Sequence, residues 1–123
     1  MKRMKLVFFV GSNPADDAFR LSAAYHLATV AAGAELDAEV RLAGDAVLAA
    51  DPAFVAAVPG ADELRSSIDG AAAQGFDVSV CPGATQRCGI NDEQVAAIGA
   101  RPRQLADILV EVAEGRAVLV HVG

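Results

Sequence analysis

Two cysteines, Cys81 and Cys88, lie seven positions apart in Val80-Cys81-Pro82-Gly83-Ala84-Thr85-Gln86-Arg87-Cys88-Gly89-Ile90. A thiol does chemistry as the thiolate, a nucleophile and metal ligand. Cys81 closes the alternating run Phe76-Asp77-Val78-Ser79-Val80-Cys81, which predicts a strand, and turn-forming residues follow it. The sulfur is therefore expected at a strand end, where a loop begins. A thiolate is favoured there when backbone N–H groups point at the sulfur or a cation lies close. Pro82 suits the first position of such a turn but has no N–H, so Gly83, Ala84 and Thr85 are the expected donors. Gly83 permits close approach of the backbone, and Arg87 is the nearby cation. The same residues also admit a plainer reading, in which Cys81 is a small buried hydrophobe ending a strand.

Other constellations carry less. Cys81 and Cys88 could form a redox dithiol if their Cα atoms come within ~7 Å, but Cys-x-x-Cys spacing is absent. His26, in a helical stretch, and His121, in a terminal apolar run, have no acidic sequence neighbour that suggests a triad. The cysteines lack the spacing of a zinc ligand pair, and the histidines fall on separate elements, so no metal is expected. Gly11-Ser12-Asn13 lacks a full phosphate-binding pattern, and Asp16 and Asp17 would repel an anion there. Asp45, after Gly44, is placed to orient a neighbouring group, although loop aspartates more often make turns.

The elements that must position these groups can be read from periodicity. Residues 5–10 form an apolar run with the character of a strand buried on both faces. Asn13 as N-cap and Pro14 at the first position open a helix whose Leu21, Tyr25, Ala28 and Ala32 share a face before Gly33. Residues 38–43 alternate as a second strand, expected nearer a sheet edge because Glu39 and Arg41 interrupt it. Residues 46–58 are ambiguous. Leu64, Ile68, Ala71 and Ala72 mark a second clear helix that stops at Gly75. After the cysteine loop, Asn91 and Gln94 form a capping box for a short helix to about Ile98, and residues 99–102 suit a short strand. Residues 105–113 form a last helix ended by Gly115, and residues 117–122 a last strand. Strands alternating with helices predict a single three-layer α/β/α domain with a mainly parallel sheet of about five strands. Chemistry in such a sheet collects beyond the carboxyl ends of the strands, which points to Gly11-Ser12-Asn13, Gly44-Asp45 and the segment from Cys81.

Composition bounds the rest. At 123 residues and net charge −6, the chain has room for one core and carries no basic run suited to nucleic acid or anionic membrane. Alanine accounts for 27 residues, so the 54% hydrophobic share overstates the strongly apolar content, which stays in the globular range. The apolar run after Lys5 is too short for a signal peptide and has no small-residue cleavage pattern. Residues 21–34, the longest uncharged stretch, fall short of the ~20 that span a bilayer. A cytoplasmic protein is expected, with thiols to be judged on their reactivity rather than as a disulfide framework.

With a cysteine closing the third strand, a Gly89-Ile90 pair eight and nine residues later, and Gly44-Asp45-Ala46-Val47 after the second strand, nearly the whole chain resembles the DsrE/DsrF-like family of sulfur-relay proteins. The resemblance implies that Cys81 accepts a sulfane sulfur as a persulfide and passes it to another thiol, as a sulfurtransferase or sulfur carrier. It implies no metal or organic cofactor, sulfur donor and acceptor proteins as partners, and a homo-oligomer: a dimer, trimer or hexamer. Departures from the family pattern are Cys88, where many relatives have Arg before the Gly, and Ala84, where some have a second cysteine. Cys88, Arg87, Gly83 and Asp45 are the expected auxiliary residues. The alternatives are a thiol redox protein using both cysteines and a non-catalytic binding or assembly module of the same fold.

Overall fold

The computed structural model describes residues 4–123. Lys2 and Arg3 of the basic start, and the side chain of Ala72, lie outside the described residues. In chain order the elements are β1 (Lys5–Val10), α1 (Pro14–Gly33), β2 (Ala38–Leu42), a 3-10 helix (Gly44–Ala50), α2 (Pro52–Ala56) and α3 (Ala61–Gln74). They continue with β3 (Asp77–Val80), α4 (Pro82–Arg87), α5 (Asp92–Ala97), β4 (Ala100–Pro102), α6 (Leu105–Ala113) and β5 (Ala117–His121). The 3-10 helix and α2 occupy most of the ambiguous stretch, and α4 replaces the expected turn-rich loop.

Local chemistry explains the starts and stops. Asn13 Oδ1 accepts the Ala15 N–H at 2.9 Å and opens α1. Asp17 then leaves helical geometry, and its Oδ1 accepts the Arg20 N–H at 3.2 Å, so it recaps the helix one turn in. Asn91 and Gln94 make the reciprocal capping box of α5, with bonds of 2.8 and 2.9 Å.

The strands form one sheet of order β4-β3-β2-β1-β5 in which every neighbouring pair is parallel. Phe8, Val10, Val40, Leu42, Val78 and Val80 face a core completed by Leu21 and Tyr25 of α1 and Leu64 and Ile68 of α3. Alternate residues face the other way: Val7 and Ala117 pack with Ile108 and Val112 of α6. The three layers are thus unequal, with α6 the helix packed on the second face. Among the described residues no helix is long and apolar enough to cross a membrane.

β2 is not near an edge. It lies between β1 and β3 with all its residues buried. Its alternating charges mimic a solvent-facing strand, but Glu39 and Arg41 lie inside the second face, where Glu39 is fully engaged. Ser79 Oγ donates to Glu39 Oε2 at 2.7 Å, and Lys5 Nζ and Arg103 Nη1 reach Glu39 Oε1 at 3.2 and 3.0 Å. Arg103 also pairs with Glu111 of α6, which ties the helix to the sheet through charge as well as through Ile108.

Candidate functional site

Cys81 is half-buried directly beyond the carboxyl end of β3 and serves as the N-cap residue of α4. Its backbone is extended, and its carbonyl, not its sulfur, accepts the Thr85 N–H at 3.0 Å. The expected sulfur-directed backbone donors are therefore not arranged as such: no side-chain cap bond forms at this helix start. Gly83 does sit against the sulfur, since a Cβ added there would lie 4.0 Å from Cys81 Sγ. A methyl group at that point would cover one side of the thiol.

The far end of α4 explains the Gly-Ile pair. Gly89, at φ +70°, bonds its N–H to Gln86 O at 3.3 Å, and the Ile90 N–H reaches Thr85 O at 2.9 Å. This is a Schellman termination, which needs the left-handed glycine and seats buried Ile90 in the core. α4 also separates the thiols. Seven residues of helix advance about 10 Å, beyond the Cα separation a disulfide bridges, so pairing Cys81 with Cys88 requires α4 to unwind.

The three expected loops do meet, and they meet at Asp45. Asn13 Nδ2 donates to Asp45 Oδ2 at 3.4 Å, Arg87 Nη2 lies 3.8 Å from Asp45 Oδ1, and Cys88 Sγ lies 4.0 Å from the same oxygen. Gly44 makes this possible: at φ +50° it turns the chain, and a Cβ there would meet Gly11 O at 3.7 Å. Arg87 is engaged with Asp45, with its side chain 63% exposed. Such a pair contributes little stability, on the order of 0–1 kcal/mol. His121 stacks on Phe9 with ring centroids 5.9 Å apart. It lies three strands from β3, roughly 14 Å across the sheet. His26 is exposed on α1.

One functional candidate was missed by sequence reasoning. Arg41, opposite Ser79 in the β2–β3 register, is 1% exposed and runs its side chain toward the carboxyl edge. Its Nη1 donates to Ser79 Oγ at 3.3 Å, Val80 O at 3.4 Å and Arg103 O at 2.6 Å. The Val80 carbonyl it reaches is the one directly before Cys81, which brings the guanidinium beside the strand end that carries the thiol. Burial, the largest influence, pulls Arg41 below its ordinary value; Cys81 and Glu39 oppose that shift, and Arg103 adds to it. The available signal was a pair of charges at alternate positions of an otherwise apolar strand.

Comparison with known proteins places this geometry. No curated protein sequence matches the chain significantly. Among solved structures, a conserved protein of unknown function from Bacteroides thetaiotaomicron superposes with a TM-score of 0.68 at 15% identity, over 95% of this chain and 93% of the other. The ychN protein from E. coli superposes with a TM-score of 0.59 at 18% identity, over 98% of this chain and 99% of the other. At those identities the two structures establish the fold. The family model for the DsrE/DsrF-like family matches residues 4–121, and the chain belongs to that family.

Proposed function

We propose that this chain is a cytoplasmic sulfur-relay protein that accepts sulfane sulfur as a persulfide on Cys81 and hands it to an acceptor thiol. The observation that carries this reading is the placement of Cys81: half-buried, beyond the carboxyl end of the interior strand β3, with Gly83 leaving one side of the sulfur uncovered. Family membership supports it.

The step is an exchange without net oxidation. The Cys81 thiolate attacks the outer sulfur of a donor persulfide R–S–SH. A new S–S bond forms on Cys81 while the donor S–S bond breaks, and its electron pair leaves with R–S⁻. The terminal sulfur now on Cys81 releases its proton to water and stands as a perthiolate. An acceptor thiolate then attacks that terminal sulfur, and Cys81 departs as the thiolate it began as. Asp45 organises the rim through Asn13, Arg87 and Cys88 and gives partner proteins a charged edge to meet.

The chain acts as a homo-oligomer. Supporting this are the outer side of α6, where Leu105, Leu109 and Val110 are exposed while Ile108 alone of its residues is fully buried, and, separately, the exposed Val118 and Leu119 of edge strand β5. The test of the carrier role is incubation of the reduced protein with a persulfide donor, followed by intact mass. A gain of about 32 Da that reductant removes and Cys81→Ser abolishes is expected. A gain that survives Cys81→Ser refutes the assignment.

A further inference from the structure

A buried cation ordinarily has a carboxylate beside it, because desolvation of an unpaired charge costs several kcal/mol. Arg41 departs from that rule. Among the described residues no carboxylate lies within ion-pair distance of its guanidinium: Glu39 is engaged by Lys5 and Arg103. Glu111 is engaged by Lys5, Arg103 and Arg116. The partners of Arg41 Nη1 are a hydroxyl and two backbone carbonyls, all neutral, and its buried Nε has no hydrogen-bond partner. Among the described residues the second face thus holds a positive charge with no directly paired carboxylate, Glu39 reaching it only through Ser79. Arg41 Nη1 donates to Val80 O at 3.4 Å, the carbonyl directly before Cys81, so the ionisable group that follows this anchor point is the Cys81 thiol.

We propose that Arg41 is the charge partner of Cys81, holding its sulfur as an anion: the thiolate before loading and the perthiolate after. The second half rests on the relay reading; the first does not. Arg41 suits the role because its donors are anchored on Ser79, Val80 and Arg103, so the guanidinium is oriented before the sulfur ionises. Arginine also stays charged when buried, whereas a lysine there would tend to lose its proton. Arg87, exposed and already facing Asp45, is neither buried nor anchored on neutral partners.

The test is peptide-resolved alkylation by iodoacetamide at pH 7 on the full chain, its Arg41→Met and Arg41→Lys variants, with circular dichroism and thermal melts as checks on folding. Arg41→Met is expected to slow Cys81 by at least about tenfold and leave Cys88 within about twofold, and Arg41→Lys, whose buried ammonium tends to lose its proton, to slow Cys81 as well. A folded Arg41→Met variant whose Cys81 reacts at the wild-type rate overturns the proposal. Should Arg41→Met not fold, the wild-type chain decides. Cys81 is expected to outpace the equally half-buried Cys88 by more than about tenfold when folded, the ratio collapsing toward one in urea. A ratio near one in the folded chain overturns the proposal. Parallel incubation with a persulfide donor separates the two readings. An Arg41 effect without sulfur loading upholds the charge partnership and removes the relay, whereas loading without an Arg41 effect does the reverse.

Discussion

Replacing Glu39 with glutamine removes one charge from the centre of the buried network at nearly constant volume. Glu39 is 0% exposed and answers Ser79, Lys5 and Arg103 at once. Deleting one partner of a buried pair costs about 3–5 kcal/mol, because the remaining charges stay buried without compensation. Glu111 still faces Lys5 and Arg103 in the variant, which places the loss near the lower end, about 3 kcal/mol. For a chain of 123 residues the unfolding entropy is about 0.26 kcal/mol per kelvin, so Tm should fall by about 12 °C at pH 7. The pH dependence carries the same signature. Burial, the strongest single influence, pushes the Glu39 carboxyl up, but Ser79, Lys5 and Arg103 together outweigh it and hold it below the ordinary 4.5. A folded value below the unfolded one means stability present at neutral pH and lost as pH falls below about 4.5. Thermal melts of wild type and Glu39→Gln from pH 7 to pH 3 should therefore converge toward the acid end. A Tm change under about 3 °C at pH 7, or a difference that stays constant down to pH 3, would refute the network as the device that buries β2.

Gly89→Ala forces a side chain into the left-handed position that ends α4, and should cost about 1 kcal/mol, or about 4 °C in Tm, with Cys81 reactivity altered as α4 loosens. Under mild oxidant, peptide mapping should find no Cys81–Cys88 disulfide while circular dichroism stays native; a bridge with unchanged helicity would contradict the separation imposed by α4. Leu109→Asp should lower the mass measured by light scattering without changing Tm by more than about 2 °C, since Leu109 is exposed on α6. An unchanged mass would remove α6 as the contact between copies.

The alternation of strands and helices was readable because its punctuation is chemical: Asn13, Asn91 with Gln94, and the left-handed Gly75 each act where the sequence puts them. β2 was misplaced toward the edge because a strand with Glu39 and Arg41 looks half-solvated, and only the cross-strand partners Ser79, Lys5 and Arg103 reveal that both charges are inside. α4 was hidden in the same way. Pro82 and Gly83 read as turn residues, yet Pro is at home in a first helical turn, and the Schellman cap at Gly89-Ile90 closes the helix. Cys81 was legible from its position after an alternating run, and Asp45 from the Gly-Asp pair. Arg41 was not, because the partnership proposed for it runs across a strand pair rather than along the chain, from β2 to the residue that follows β3.

The central claim concerns sulfur carried by one thiol, and cyanolysis measures that directly. The protein is loaded with a persulfide donor, desalted and treated with cyanide, which takes the terminal sulfur as thiocyanate and returns the thiolate. The account predicts about one thiocyanate per chain from wild type and from Cys88→Ser, and none above background from Cys81→Ser. Thiocyanate released equally by Cys81→Ser, or absent from the wild-type chain, would contradict it.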